Sequence, residues 1–358
     1  MQSMPPPDGE CHIIVGVDTH KYVHVAVVVN SLGLRLGELV ISADTGGYRQ
    51  VEEWSRTWGH PVTFGVEGTN SYGRGLSSYL LSRGHRVIEV SRPDRRNRRL
   101  NGKSDSLDAE VAARSVLAGT ARATAKPADG MVEMIREVKL ACDGARKART
   151  AALLGLKALL INAPAPIRES LAGLSSSELI ARCAGFRPGS VDTPAASIKF
   201  ALRALARRCL YLDEEMSEQR TVLDELTTKA SPTLREGYCI GADSAAELLI
   251  ALGDNPERLR SEAAFAKLCG AAPLPASSGL TNRHRLSRGG DRRANAALHR
   301  IVIVRMHHEE RTQLYVARRT AEGLSKKDVI RCLKRAVARE VFSRVMADYS
   351  PVALADVA

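Results

Sequence analysis

The first ninety residues alternate apolar runs with polar breaks at the spacing of strands. In Val23-His-Val-Ala-Val the β-branched residues recur every second position, as they do along one face of a strand. Residues 12 to 30 and 34 to 42 read as strand, with Asn30-Ser-Leu-Gly-Leu as the turn between them. The pattern then predicts a helix over Thr45–Trp58, a strand over Val62–Glu67, a helix over Ser71–Arg83 and a strand over Arg86–Val90. Hairpin strands followed by strand–helix alternation describe a mixed α/β sheet covered by helices. Further along, the period changes. Val138, Ala141, Ala145, Ala148, Ala152, Leu156 and Leu159 recur at spacings of three and four, and so do Ile198, Leu202, Leu205, Cys209, Leu212, Met216, Leu223 and Leu226. These spacings predict two long helices with coiled-coil seams. Asn162-Ala-Pro-Ala-Pro and the stretch from Gly185 to Pro194 break them apart. The pair forms either a helical hairpin within the chain or an arm for dimerisation. From about Ser231 the pattern shortens to small helices and loops. There Ile240-Gly-Ala-Asp-Ser reads as a Gly turn entering a helix, either a plain turn or a hairpin that holds phosphate on backbone N–H groups.

The candidate chemistry sits where apolar runs end in acids. Asp18 closes Ile-Ile-Val-Gly-Val-Asp, and Glu67 closes Val-Thr-Phe-Gly-Val-Glu. Asp105 and Asp108 form a D-x-x-D pair at the start of a predicted helix, on one face because i and i+3 are neighbours. Carboxylates against a core are costly unless a cation offsets them. Two Mg²⁺ ions, or Mn²⁺ in their place, need several hard oxygen ligands from different segments and suit phosphodiester chemistry. Each acid also has a plainer role open to it. Asp105 and Asp108 suit the first turn of any helix, and Asp18-Thr-His-Lys suits a polar turn.

Charge adds a partner. The net charge is +12 over 358 residues, which favours a polyanion. One basic run, with Arg92, Arg95, Arg96, Arg98, Arg99 and Lys103, precedes the D-x-x-D pair. A second surrounds Ser277-Ser278-Gly279 and carries Arg283, Arg285, Arg288, Arg292 and Arg293. Arginine clamps phosphate bidentately, and a serine can attack phosphorus if activated. Only His284 lies nearby as a base, so the residues alone also allow a phosphate-gripping loop with an inert turn. No apolar run reaches the length of a membrane span. The seven scattered cysteines without a C-x-x-C pair point to free thiols in a reducing cytoplasm.

The order of the N-terminal elements is that of the RNase H-like fold. Gly16-Val-Asp-Thr-His-Lys, Val66-Glu-Gly-Thr, Lys103-Ser-Asp-Ser-Leu-Asp-Ala, Phe265-Ala-Lys-Leu-Cys-Gly, Ser278-Gly and Ser287-Arg-Gly-Gly-Asp-Arg-Arg-Ala-Asn together resemble the DEDD transposases of bacterial insertion sequences. These are bridge-RNA-guided recombinases with a RuvC-like N-terminal domain, and the resemblance runs from about Ile13 to Phe342. It implies that Asp18, Glu67, Asp105 and Asp108 are the metal-binding catalytic set and that Ser278 is the nucleophile that bonds to DNA. It also implies a structured guide RNA, donor and target DNA, and a homodimer or homotetramer assembled through the long helices, in the bacterial cytoplasm at the nucleoid. The expected organisation is a tail (1–11), an RNase H-like, RuvC-like α/β domain (12–125), a helical coiled-coil region (126–230), a mainly α C-terminal transposase domain (231–345) and a second tail (346–358). One departure is Ala242, where the family's hairpin carries proline after Ile240-Gly. The alternatives are a RuvC-like Holliday-junction resolvase, a sugar-kinase-like phosphotransferase and a non-catalytic nucleic-acid-binding protein.

Overall fold

The structure, a computed structural model, describes residues 12–60, 62–90, 104–127, 130–256, 259, 261–276, 284–285, 287 and 289–349. The chain divides into two units, Met1–Gly130 with Gly253–Arg260 and Met131–Leu252 with Ser261–Ala358. No helix among the described residues is long and apolar enough to cross a membrane.

The first unit is built on a mixed sheet of β1 (Ile13–Thr19), β2 (Val23–Val29), β3 (Arg35–Ser42), β4 (Val62–Glu67), β5 (Arg86–Val90) and β6 (Ala123–Thr124), in the order β3-β2-β1-β4-β5-β6. Strands β1, β2 and β3 pair antiparallel, while β1, β4 and β5 pair parallel. This arrangement is consistent with the RNase H-like expectation. The apolar stretch 12–30 is two strands, split by a turn at residues 20–22. Helices α1 (Thr45–Arg56) and α2 (Arg74–Ser82) cover one face, where Val51, Leu76 and Leu80 pack on Ile13, Val15, Val17, Phe64 and Val66. Helix α3 (Asp105–Leu117) covers the other, with Ala109 and Ala113 against Ile14, Val25, Val27 and Val29. Burial on both faces is why these strands read as near-continuous apolar runs.

Two glycines set how close α3 comes. Gly16 on β1 and Gly65 on β4 are register partners. A Cβ at Gly16 would stand 2.0 Å from the Ala109 carbonyl oxygen and 2.4 Å from the Ala113 nitrogen. One at Gly65 would stand 2.7 Å from Val116 Cγ2 and 3.2 Å from the Ala112 oxygen. Glycine is required here by backbone approach. The strand period of two then puts Asp18 on the face of Gly16, and Glu67 on the face of Gly65.

The second unit is helical. Helix α4 (Met131–Ile161) lies against α7 (Pro194–Ala230), and the short α5 (Ala165–Ser170) and α6 (Ser176–Ala184) sit between them in sequence. Ala152 and Leu156 meet Leu202, Ala206 and Cys209, and Ala145 meets Leu212 and Met216. The seams therefore pack on each other within the chain. The sequence pattern missed α5 and α6, yet Ile167, Leu179, Ile180 and Cys183 join the same core. After α8 (Pro232–Arg235) come α9 (Ala242–Leu252), α10 (Glu262–Leu268), the two-residue strands β7 (Leu274–Pro275) and β8 (His284–Arg285), α11 (Arg292–His308), α12 (Glu310–Ala321) and α13 (Lys326–Asp348).

The turn into α9 places Gly241 directly before the helix. Its left-handed residue is Cys239, with φ 62°, not Gly241. Arg305 holds it, donating from Nε (3.1 Å) and Nη2 (2.8 Å) to the Tyr238 carbonyl. The first turn of α9 also carries its own acid, Asp243. Lys139 on α4 is 1% exposed, and its Nζ lies 2.5 Å from Asp143, 2.9 Å from Glu247 and 3.3 Å from Asp243. Burial raises the Asp243 carboxyl, but Arg300, Lys139 and Arg146 outweigh it and hold it at about 2. Asp243 thus ties the start of α9 to α4 and α11.

Two substitutions test these contacts. Gly16→Ala should cost about 3 kcal/mol or more, because backbone rather than a side-chain tip must move. Lys139→Met should cost about 3–5 kcal/mol by removing the cation that buried Glu247 shares with Asp143 and Asp243. Urea denaturation followed by circular dichroism measures both, and a loss under 1 kcal/mol would refute either reading.

Candidate metal centre

The carboxylates converge at the C-terminal ends of β1 and β4. Their last register pair is Val17 with Val66, so Asp18 and Glu67 are the next residues on adjacent parallel strands. Thr19 ties the two ends together, its Oγ1 donating to the Glu67 carbonyl at 2.8 Å. Helix α3 brings the other pair. Ser104 is its N-cap, accepting from the Leu107 N–H, and Asp105 and Asp108 occupy the first turn. Docking over Gly16 and Gly65 presents that turn to the strand ends. Asp18, Glu67 and Asp108 are 7%, 8% and 5% exposed, and the side chain of Asp105 is half exposed at the rim.

His20, in the turn after β1, completes the group. Its Nε2 lies 3.3 Å from Asp18 Oδ2 and 3.3 Å from Asp105 Oδ1. One ligand atom from each of Asp18, His20 and Asp105 falls within 4.8 Å of the others. Among the described residues, His20 is the only side chain able to carry positive charge within ion-pair distance of Asp18 or Asp105. Burial pushes the Asp18 carboxyl above its ordinary range. His20 opposes that shift, and Asp108 and Asp105 add to it. Carboxylates that repel one another around the desolvated Asp18 make a donor set that fits a divalent metal. Asp18, Glu67, Asp105 and Asp108 can offer hard oxygens and His20 a nitrogen. The sequence reading left His20 out, and its only signal was a position two residues beyond a strand-terminal acid.

Family comparison decides the context of this cluster. Residues 15–162 match the IS110-type DEDD transposase model, and residues 232–317 match the transposase model of the IS116/IS110/IS902 family. The chain belongs to the DEDD transposases of the IS110/IS116/IS902 family. No curated relative matches it. The four acids of this transposase all lie within its first matched segment. Membership makes it an enzyme that acts on DNA, and it agrees with the use of a divalent metal.

The remaining sequence candidates fall elsewhere. Arg92, Arg95, Arg96, Arg98, Arg99, Lys103, Ser278, Arg283 and Arg288 lie outside the described residues. Arg285 and Arg292 are exposed in the second unit. Arg293 is more than half exposed, and its Nη1 lies 3.5 Å from Asp143 Oδ2, so it flanks the Lys139 network.

The raised Asp18 pKa has a signed consequence. The folded state binds a proton there more tightly than the unfolded state does, so this contribution to stability is present at acid pH and lost as pH rises through the folded value. In chelator at neutral pH, Asp18→Asn should melt roughly 2–4 °C higher than the unsubstituted transposase. Added Mn²⁺ should raise the melting temperature of the unsubstituted protein and leave that of Asp18→Asn unmoved. An equal metal response in both would remove Asp18 from the centre.

Proposed function

We propose that this transposase excises and integrates its insertion sequence by Mg²⁺- or Mn²⁺-dependent strand exchange through a covalent serine–DNA intermediate. The convergence of Asp18, Glu67, Asp105 and Asp108 on one sheet edge carries the reading. In it, the first unit is a RuvC-like domain of the RNase H type, and the four acids with His20 hold the metal. A bound divalent metal would supply Lewis-acid stabilisation of charge on the phosphate oxygens.

The chain's residues do the rest. Ser278 Oγ attacks phosphorus and gives up its proton, and the displaced deoxyribose oxygen takes one up. The phosphodiester is thereby kept as a serine–phosphate link and can be returned to a new strand. The basic run from Arg92 to Lys103 and the arginines from Arg283 to Arg293 neutralise DNA phosphates near the reacting strand. A structured guide RNA chooses the sequences, and a homodimer or homotetramer brings Ser278 to the acids. This assembly works in the bacterial cytoplasm at the nucleoid.

With a donor DNA and its guide RNA, Ser278→Ala should abolish the protein–DNA adduct seen on a denaturing gel, while Ser277→Ala retains it. Asp108→Ala should lower metal-dependent recombination on the order of 10³-fold. Adducts that persist in Ser278→Ala would eliminate the serine. Symmetric nicking of a four-way junction with no adduct would favour hydrolysis by a resolvase instead.

A further inference from the structure

The second unit contains two deeply buried lysines with opposite surroundings. Lys139 has three carboxylates within 3.3 Å. Lys334, on α13, is 7% exposed, and among the described residues no carboxylate lies within ion-pair distance of it. Its Nζ donates to Asn295 Oδ1 on α11. The Asn295 amide is oriented by its other end, where Nδ2 donates to the Cys269 carbonyl at 2.7 Å. Close backbone packing fixes that junction. A Cβ at Gly290 would stand 2.2 Å from the Gly270 nitrogen, and the Asp291 N–H donates to the Leu268 carbonyl at 2.6 Å. The segments Phe265–Gly270 and Gly290–Asn295 thus meet to present one oxygen to one lysine. Burial lowers the Lys334 pKa, and neighbouring Arg331 lowers it further.

Lys334 lines a cleft of about 1590 Å³ formed by the Gly270–Leu274 segment, the β7–β8 strands, the end of α12 and the start of α13. The walls are strongly basic. Arg285 and Lys327 line it without an acidic partner among the described residues. Arg319, Arg331 and Arg335 line it while paired to Glu322, Asp328 and Glu262. Asp328 is the only acid on the described lining. A desolvated cation beside further cations is unfavourable unless an anion enters. The cleft exceeds the roughly 300–1,000 Å³ of small-molecule pockets, and its charge is spread along the walls, which suits a strand better than a compact metabolite.

We propose that this cleft is a phosphodiester site in which Lys334, held by Asn295, is the charge partner of a nucleic-acid backbone phosphate. The inference rests on the family's chemistry on DNA and is independent of the serine step.

The test uses the full chain and fluorescence anisotropy with a DNA duplex and, separately, an RNA hairpin, each across a salt series. Lys334→Met should bind at least one of the two about tenfold more weakly, with a salt slope shallower by about 1. Its melting temperature should be unchanged or higher, because a buried uncompensated charge is gone. Loss confined to DNA or to RNA assigns the strand that occupies the cleft. In the unsubstituted chain, ¹³C-dimethylated Lys334 should shift in NMR spectra when the oligonucleotide is added, a readout that does not require the variant to fold. Equal affinities and slopes in both proteins, or a Lys334 resonance that neither oligonucleotide moves, would overturn the site. Strand binding through Lys334 without metal-dependent adducts would count against the serine mechanism alone and leave the site standing.

Discussion

The backbone of α3 can touch the sheet because β1 and β4 lack side chains at Gly16 and Gly65. Every feature of the acidic centre depends on that contact. With a Cβ at Gly16 the helix would have to lift, and Asp105 and Asp108 would leave the strand ends that carry Asp18 and Glu67, while a Cβ at Gly65 would displace Val116 and crowd the Ala112 oxygen. The pattern Gly-Val-acid occurs in both strands, so one face of each carries first the clearance for the helix and then the charge. Alanines at 109, 112 and 113 make the matching groove on the helix. The geometry also places acids at the positive end of the helix dipole, which offsets a small part of the repulsion among them.

The two units handle buried charge differently. In the second, Lys139 and its three carboxylates neutralise one another and join α4 to α9, with Arg146, Arg293 and Arg300 at the margin. In the first, His20 lies between Asp18 and Asp105, and Asp105 and Asp108 both raise the Asp18 pKa. Networks of the first kind hold a fold together. An excess of one sign in a buried place is a cost that function explains. Lys334 is a buried cation held by Asn295, with no carboxylate in ion-pair distance among the described residues.

Much of this was legible in the sequence. The strands ending at Glu67 and Val90 have the predicted bounds, because β-branched runs buried on both faces leave little ambiguity. Asp18 and the D-x-x-D pair were legible for the same reason: an acid that interrupts an apolar period stands out. The long helices followed from their seams, but a seam does not say whether its partner is the same chain, and here α4 and α7 pack on each other. Helix α5 was missed because Pro164 and Pro166 read as breakers, although proline fits the start of a helix well. The left-handed backbone of Cys239 left no mark in the sequence, because cysteine is not a residue that favours that conformation. His20 and Lys334 were hidden for a shared reason. A histidine in a polar turn and a lysine in a basic helix look ordinary until the fold shows what surrounds them.

Asp18, Glu67, Asp105 and Asp108 are proposed to form one metal centre on the sheet edge. Anomalous diffraction from crystals of the transposase soaked in Mn²⁺ tests it most directly. Anomalous density is expected between Asp18, Glu67, Asp105 and Asp108, with carboxylate oxygens about 2.0–2.3 Å from the ion. Fully bound Mn²⁺ elsewhere on the chain, with no density at the strand ends, would contradict it.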